Sequence, residues 1–206
     1  MVHYKLHYFA LYGRGEPARQ LFALAGQPYE DVRISMEDWP KHKAEMPYGQ
    51  VPVLEVDGEF LPQSNAIYRF LGRQFGYAGE TEIEAAQVDM IGDLFQDYFN
   101  EYREYFTVAV GFTQGDKEFL FNSVMVPARN KMLRYLSNIL RSNGTGFLVG
   151  KSVTYADLLL SIHTAGMEGI APGFSNDFPR ILEHRERIES IPQLKEYLAH
   201  RPFAPF

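Results

Sequence analysis

One proline constrains the fold of this chain more than any other residue, because it opens an apolar run. Residues 48–56 read YGQVPVLEV, and proline, which lacks a backbone donor, is kept out of central strands. Pro52 must therefore lie at a bend or at the start of a strand, and we predict a cis peptide bond after Val51. Such a bend turns the N–H and C=O groups of Val51 away from the ladder of the sheet and offers them to an extended peptide. The sequence therefore predicts a peptide-like ligand.

A helical pattern begins at Gln63 and Ser64, shortly after this bend. Free N–H groups in the first turn, the positive end of the helix dipole and the serine hydroxyl all suit a carboxylate. The alternative is that Ser64 serves only as the N-cap of the helix. Together with the bend at Pro52, the helix start indicates a binding site for a small peptide that carries a carboxylate.

The hydrophobic periodicity changes once along the chain and divides it into two domains. Short patterns predict strand, helix, strand, a two-stranded hairpin and a helix that begins at Ser64, which is typical of a thioredoxin-like α/β domain at residues 1–76. Only helical patterns follow the glycine-rich link, and they predict an all-α helical-bundle domain at residues 82–206. The predicted helices cover residues 82–105, 118–142, 154–169 and 179–191, with a short helix after Pro192.

Composition excludes several classes of function. The chain has 206 residues, 46% of them hydrophobic, which is enough for one large core or two modest ones. It has no cysteine, so any reactive thiol must come from a substrate. A net charge of -6 without a cluster of basic residues argues against nucleic acid as a partner. No apolar run approaches the ~20 residues of a membrane span and no secretory segment opens the chain, so we expect no membrane partner and a cytoplasmic location.

Six short motifs follow one another in a fixed order. They are YKLHYF at residues 4–9, GRGE at 13–16, DWP at 38–40, the Pro52 bend with EVDG at 55–58, QS at 63–64 and VTYAD at 153–157. In this order they resemble the landmarks of the cytosolic glutathione transferases, in particular the sigma class with its nematode members and the haematopoietic prostaglandin D synthases. The resemblance covers essentially the whole chain. It implies that the peptide is glutathione and that the protein is a glutathione transferase.

Tyr8, at the end of the first predicted strand, is the candidate catalytic residue. A tyrosine hydroxyl that donates to a developing thiolate in a dry site stabilises the anion, as an oxyanion hole stabilises oxygen. Arg14 is the second catalytic candidate, because its charge can strengthen the field on Tyr8 or on the sulfur. The alternatives are that Tyr8 is a half-buried strand aromatic and that Arg14 is a solvated arginine at a helix start.

Further residues are candidates for holding glutathione. Trp39 and Lys43 are four apart, so on a helical turn they share a face from which both can reach a carboxylate. The resemblance makes that carboxylate the glycine end of glutathione, and the alternative is an exposed basic turn beside a surface tryptophan. The resemblance assigns the remaining contacts to Gln50, Val51, Pro52, Gln63 and Ser64, with the last two at the γ-glutamyl end.

Asp89, Asp93 and Asp97 recur every four residues and form an acidic stripe along one helix. Such a stripe is usually a solvated face, although like charges at this spacing favour a cation nearby. The resemblance implies that Asp97 reaches across the interface of a homodimer to the amine of glutathione. Gln96 replaces an aspartate of the synthases that bind a divalent ion, so we expect no metal.

Aromatic residues follow this stripe and are candidates for an apolar pocket above the sulfur. The resemblance assigns the second substrate to Phe9, Phe99, Tyr105 and Leu159, with the tail of residues 203–206 as a further candidate. The alternative for each aromatic residue is packing in the helical core. His3, His7 and His163 have no metal-ligand spacing and are predicted to be packing or surface residues.

The sequence thus predicts an enzyme that activates glutathione as a thiolate and conjugates it to small hydrophobic electrophiles. Two alternatives stay open. One is a glutathione-dependent prostaglandin D isomerase, and the other is a non-catalytic protein that binds haem or lipids.

Overall fold

In the computed structural model, which describes residues 2–204, a four-stranded mixed sheet forms the centre of the first compact unit. The strands lie in the order β2-β1-β3-β4, with β1 parallel to β2 and antiparallel to β3, and β3 antiparallel to β4. Their bounds are Tyr4–Phe9 for β1, Glu30–Ile34 for β2, Val53–Val56 for β3 and Glu59–Pro62 for β4. This is the thioredoxin-like sheet that the short periodic patterns predict.

Side chains along β1 alternate between buried and half-buried, and this alternation determines where Tyr8 lies. Tyr4, Leu6 and Tyr8 are buried and point to one face of the sheet, as the period of two requires. Helices α1 and α3 belong to the same unit and bury residues such as Leu21 and Ile67. Tyr8 therefore stands at the carboxyl end of a central strand, beside a packed core.

The helices α1, α2 and α3 alternate with the strands along residues 4–75, and glycines end two of these helices. Gly26 ends α1 at φ 60° and Gly76 ends α3 at φ 81°, both in the left-handed conformation that favours glycine. The helix bounds are Glu16–Ala25 for α1, Trp39–His42 for α2 and Ser64–Phe75 for α3. Helix α3 thus begins at Ser64, where the sequence predicts it.

The second compact unit, Gly79–Arg187, contains long helices. Thr154 and Asp157 form a capping box at the start of α7, where Asp157 also accepts a hydrogen bond from His184 at 2.9 Å. The helices of this stretch are Glu82–Ala109 (α4), Lys117–Leu120 (α5), Val126–Asn143 (α6), Tyr155–Ile170 (α7) and Pro179–Glu189 (α8). Together with the sheet domain, they confirm the predicted fold class.

The predicted continuous helix over residues 118–142 is wrong in one respect. A π-helical segment, Phe121–Met125, separates α5 from α6. Pro127 explains this, because it has no N–H to donate to the carbonyl of Ser123 and its ring would clash there. The wider turn brings Phe121 against Tyr105, with 5.6 Å between the ring centroids.

The C-terminal segment packs with the first unit. Residues from Ile188 onward, including α9 (Pro192–His200), belong to the same compact unit as the sheet, and α9 contacts α1. Sequence periodicity does not reveal such a long-range contact, and the predicted boundaries at 1–76 and 82–206 stay a prediction. Among residues 2–204 no helix is both long enough and apolar enough to cross a membrane.

Candidate functional site

The hydroxyl of Tyr8 lies inside a glycine turn. Tyr8 is 7% exposed, and its oxygen accepts a hydrogen bond of 2.9 Å from the backbone N–H of Arg14. Arg14 is the middle residue of a single 3₁₀ turn, Gly13–Gly15. A Cβ atom on Gly13 would lie 2.7 Å from the Tyr8 oxygen, and one on Gly15 would lie 2.4 Å from Cδ1 of the ring. The turn therefore needs glycine on both sides of Arg14 in order to close on the phenol.

A second tyrosine ties this turn to α3. The hydroxyl of Tyr68 donates to the carbonyl oxygen of Arg14 at 2.6 Å. Tyr68 is buried on α3, four residues after Ser64 at the start of that helix. The carbonyl and the N–H of Arg14 are thus both engaged, and the Tyr8 hydroxyl is fixed relative to the start of α3.

Burial and charge act on Tyr8 in opposite directions. Burial raises the pKa of the Tyr8 phenol, whereas the hydrogen bond from Arg14 and the charges of Arg14 and Arg19 lower it. Burial is the largest of these effects, so the net pKa is raised and Tyr8 is a neutral donor at pH 7. The guanidinium of Arg19 lies 5.7 Å from the centroid of the Tyr8 ring.

Gln63 has a backbone conformation that is rare for a residue with a side chain. It is the N-cap of α3 and has φ 76° and ψ 114°. Such conformations cost on the order of 1–3 kcal/mol and cluster at ligand sites. Its side chain is exposed, while Ser64 beside it is buried.

The cis peptide bond between Val51 and Pro52 is present, as the sequence predicts. The antiparallel registers of β3 begin at Val53, which is aligned with His7 on one side and Pro62 on the other. Val51 precedes these registers and is half-buried, and Gln50 before it is exposed. The backbone of Val51 thus lies outside the paired part of β3.

Trp39 and Lys43 lie at the two ends of α2. The indole packs edge to face on Phe9, with 5.2 Å between centroids, and Phe9 lies 5.7 Å from the Tyr8 ring. The side chain of Lys43 lies along Gly49, because Cε is 3.4 Å from the position that a Cβ would take there. Trp39 therefore lies against Phe9, the residue after Tyr8, and Lys43 lies against the turn before Gln50.

The second unit carries the acidic stripe on α4. Its three aspartates line an open surface cavity of about 560 Å³ together with Met90 and Leu94. Asp97 is exposed, whereas Asp89 is half-buried and accepts a hydrogen bond of 2.6 Å from the Tyr155 hydroxyl. Among the described residues no group of three histidine or acidic side chains is placed to hold a metal ion.

The candidates for the second substrate in this unit differ in exposure. Phe99 is half-buried and packs edge to face on Tyr102 and Phe106, and Leu159 is also half-buried. Tyr105 is only 1% exposed, so it packs in the core. This agrees with the alternative stated above for each aromatic residue, which is packing in the helical core. Of the tail, residues 205 and 206 lie outside the described residues, and Phe203 is 94% exposed.

His163 lies among aromatic rings. Four centroids lie within 6 Å of its own, those of Phe95, Tyr98, Tyr102 and Phe174. Burial lowers the pKa of His163 to about 3, so the imidazole is neutral at pH 7. This is the packing role that its isolation in the sequence predicts.

Two residues around Tyr8 have only weak signals in the sequence. The signal for Tyr68 is its position one helical turn after Ser64. The signal for Arg19 is its position on the buried side of α1, three residues after Glu16. Arg19 is fully buried, and its guanidinium donates to Leu11 O at 2.7 Å and to Asp31 at 3.1 Å. The sequence pattern that indicates Arg19 is a charged residue three positions from an opposite charge on an apolar helix face.

Comparisons with known proteins agree along the whole chain. Residues 4–73 match the family described as "Glutathione S-transferase, N-terminal domain", and residues 95–201 match "Glutathione S-transferase, C-terminal domain". The probable glutathione S-transferase 6 of Caenorhabditis elegans is 48% identical over 206 residues, which cover both chains fully.

Solved structures extend this likeness to three dimensions. The Nu-class glutathione S-transferase of Haemonchus contortus is 50% identical and has a TM-score of 0.92, with both chains fully covered. A monomeric glutathione S-transferase of the hookworm Necator americanus is 47% identical and has a TM-score of 0.96, covering 99% of this chain and 100% of its own.

Proposed function

Because the chain belongs to the glutathione S-transferase family, we propose that it activates the thiol of glutathione as a thiolate and adds it to small hydrophobic electrophiles. The observation that carries this proposal is the hydrogen bond from the Arg14 N–H to the Tyr8 oxygen. It supports Tyr8 as the catalytic residue, because it leaves the phenolic proton available for a second partner.

The chemistry follows from the hydrogen-bonding capacity of a phenol. The Tyr8 oxygen accepts from Arg14, and its own O–H donates to the sulfur of bound glutathione. A free thiol has a pKa of about 8.5, and each unit of lowering requires about 1.36 kcal/mol of preference for the anion. The thiol proton leaves to water, and the thiolate forms a carbon–sulfur bond with the electrophile. In a substitution the leaving group departs with the electron pair of its bond, and in an addition the carbon–carbon π bond breaks and the resulting carbanion takes a proton from water. The neutral Tyr8 keeps its proton and stabilises the anion throughout.

We propose that backbone groups and a few side chains hold the peptide. The N–H and C=O of Val51 bind the extended backbone of glutathione, and Gln63 with Ser64 binds the γ-glutamyl carboxylate at the start of α3. Trp39 and Lys43, with Gln50, bind the glycine carboxylate. The strain at Gln63 and the position of Val51 before the paired part of β3 support this assignment.

We propose a homodimer in which Asp97 of one copy binds the amine of glutathione held by the other. Two surface patches of opposite charge support it. The patch on α3 and β4 is lined by Leu61, Phe70, Arg69 and Arg73, and the patch on α4 carries the acidic stripe beside Met90. The relative from Necator americanus is monomeric, so sedimentation of this protein at several concentrations is the direct test. A fully active monomer would contradict the role of Asp97.

For the second substrate we propose that Phe99 and Leu159, which are half-buried in the second unit, contact it, whereas Tyr105 is buried in that unit and packs there. Phe9, next to Tyr8 in the first unit, is proposed as a separate candidate for this role. Membership of the sigma class and a cytoplasmic location are also proposals, and both rest on the sequence motifs and their resemblance.

The proposal is tested by conjugation of a panel of electrophiles with glutathione in excess, together with the ultraviolet absorbance of bound thiolate. We expect conjugation and a thiolate that persists at neutral pH. Tight binding of hydrophobic ligands without conjugation or thiolate formation would contradict the proposal and favour a ligand-binding protein.

A further inference from the structure

An arginine close to the C-terminus contacts the turn that carries Arg14. The guanidinium of Arg201 lies 3.9 Å from the centroid of the Tyr12 ring, and its Nη1 donates to Oε1 of Glu16 at 2.6 Å. The Tyr12 hydroxyl donates in return to the carbonyl oxygen of Pro202 at 3.3 Å. We call these four residues, Tyr12, Glu16, Arg201 and Pro202, the C-terminal clasp.

The clasp is centred on a buried charge. Glu16 has 0% exposure, and a carboxylate so buried requires several partners to offset its loss of hydration. It accepts hydrogen bonds from Gln20 at 3.3 Å and from Tyr197 at 3.2 Å, and Arg19 lies 3.6 Å away. The Arg201 side chain is only 20% exposed, so its bond to Glu16 is charge-assisted and largely shielded from water.

The clasp holds both ends of the turn beside Tyr8. Tyr12 directly precedes the turn and Glu16 directly follows it, and the N–H of Glu16 donates to the carbonyl of Tyr12 at 2.9 Å. Arg14 itself lies between two glycines, whose backbones are intrinsically free to adopt many conformations. Contacts from outside the turn must therefore restrict it.

Arg19 and Arg201 both lie against Glu16, but they contact different residues before the turn. Arg19 donates to the carbonyl groups of Leu11 and Phe9, which precede the turn. Arg201 instead bridges the ring of Tyr12 and the carboxylate of Glu16, across the turn. The clasp therefore joins the two residues that flank the turn, in addition to the contacts of Arg19 with Leu11 and Glu16 and of Tyr68 with the Arg14 carbonyl.

We propose that Arg201 is a positioning residue for Tyr8. It fixes the turn so that the Arg14 N–H stays aimed at the phenolic oxygen, and the phenolic proton stays aimed at the sulfur. This inference rests on the proposed function of Tyr8. It links the C-terminal segment to thiol activation through contacts within the first unit alone.

Two measurements test the inference on Arg201→Ala. Hydrogen exchange of the Arg14 amide, followed by NMR without glutathione, reports on the bond to Tyr8 directly, and we expect exchange to accelerate by at least about tenfold. The pKa of bound thiolate should rise by about half a unit to one unit, so that turnover at neutral pH falls about three- to tenfold and recovers as the pH rises. The KM for glutathione should change much less than kcat, because the residues proposed to bind the peptide are untouched.

Two variants serve as matched controls. Tyr12→Phe removes only the hydroxyl bond to Pro202 and keeps the ring beneath Arg201, so both measurements should change much less than in Arg201→Ala. Arg141→Ala removes an exposed arginine of α6 in the second unit and should leave both unchanged. If Arg201→Ala does not fold, Arg201→Gln replaces it, since the amide can still reach Glu16 without the charge or the planar guanidinium. We expect the same changes, smaller in size.

The outcomes separate this inference from the proposed function. If Tyr8→Phe raises the thiolate pKa while the folded Arg201 variant leaves both the thiolate pKa and the Arg14 exchange unchanged, the positioning role is wrong and the function of Tyr8 stands. If Tyr8→Phe leaves the thiolate pKa unchanged, the proposed function fails, and the inference that depends on it fails too. The exchange of the Arg14 amide would then still report whether the clasp holds the turn.

Discussion

The backbone N–H of Arg14 donates to the hydroxyl oxygen of Tyr8 at 2.9 Å, although the two residues belong to different elements. A backbone donor is fixed by the chain and cannot rotate away as a side chain can. It occupies one lone pair of the phenol and opposes the effect of burial, which raises the pKa of Tyr8. The phenol therefore remains neutral at pH 7, with one lone pair of its oxygen engaged by the backbone.

The substitution Tyr8→Phe removes one hydroxyl and keeps the ring. We expect the pKa of bound thiolate to rise by about one to two units, on the order of 1.4–2.7 kcal/mol, and turnover at neutral pH to fall about ten- to a hundredfold. Activity should partly recover as the pH approaches the new value, and glutathione should bind nearly as well. The measurement is a pH titration of bound thiolate absorbance alongside kcat.

Tyr135→Phe, at an exposed position of α6, is the matched control and should leave the titration unchanged. An unshifted thiolate pKa with full conjugation in Tyr8→Phe would assign Tyr8 a packing role, and Arg14 would be the next candidate.

The close approach of Gly15 to Tyr8 predicts a steric effect. A Cβ there would lie 2.4 Å from the ring, and because φ is -84° the cost of Gly15→Ala is contact alone. We expect a loss of about 1–3 kcal/mol in the free energy of unfolding, together with reduced turnover as the turn moves off Tyr8. Chemical denaturation and kcat measure the two effects.

Gly166→Ala is the control for this prediction, since nothing lies within 4 Å of its added Cβ in α7. It should stabilise the protein by about 0.5–1 kcal/mol through helix propensity. Equal stability of the two variants would show that Gly15 has more room than the structure gives it.

Residues whose structure follows local rules are predicted well from the sequence. The cis bend at Pro52 and the start of α3 at Ser64 each depend on neighbours in the chain. Tyr68 and Arg201 are not predicted, because their partners lie 54 and 185 residues away, at Arg14 and Glu16. Nothing in the periodicity of a helix specifies which distant carbonyl or carboxylate a side chain will meet. The π-helical segment is missed although its cause, Pro127, is visible in the sequence.

The strained backbone of Gln63 allows strain and binding to be separated with two variants. Gln63→Gly relieves the cost of φ 76° and removes the amide, whereas Gln63→Ala removes the amide and keeps the strain. We expect the glycine variant to be the more stable of the two. Its free energy of unfolding should exceed that of the alanine variant by about 1 kcal/mol or more. Both should bind glutathione more weakly than the parent and to a similar degree. Calorimetric titration that finds parental affinity in both would remove Gln63 from the site.

The substitution Asp97→Ala should weaken glutathione binding and leave folding almost unchanged. A carboxylate proposed to bind the ammonium of glutathione is lost, while α4 is relieved of a like charge four residues after Asp93. The dissociation constant should rise roughly tenfold or more, consistent with a charge-assisted hydrogen bond of about 1.5–3 kcal/mol. Glu104→Ala, an exposed acidic residue of the same helix, is the control. An unchanged dissociation constant in Asp97→Ala argues against any contact with the amine.

The buried His163 predicts how stability depends on pH. Burial lowers its pKa to about 3 in the folded state, against about 6.5 when unfolded, so only the unfolded chain gains this proton between those values. The contribution of neutral His163 is therefore complete above pH 6.5 and is lost as the pH falls toward 3. His163→Phe keeps a ring among Tyr98, Tyr102 and Phe174 but does not titrate. Between pH 6.5 and 4 the parent should lose about 3 kcal/mol more unfolding free energy than this variant. Denaturation series with parallel pH dependence would mean that His163 accepts a proton in the folded protein and is hydrated there.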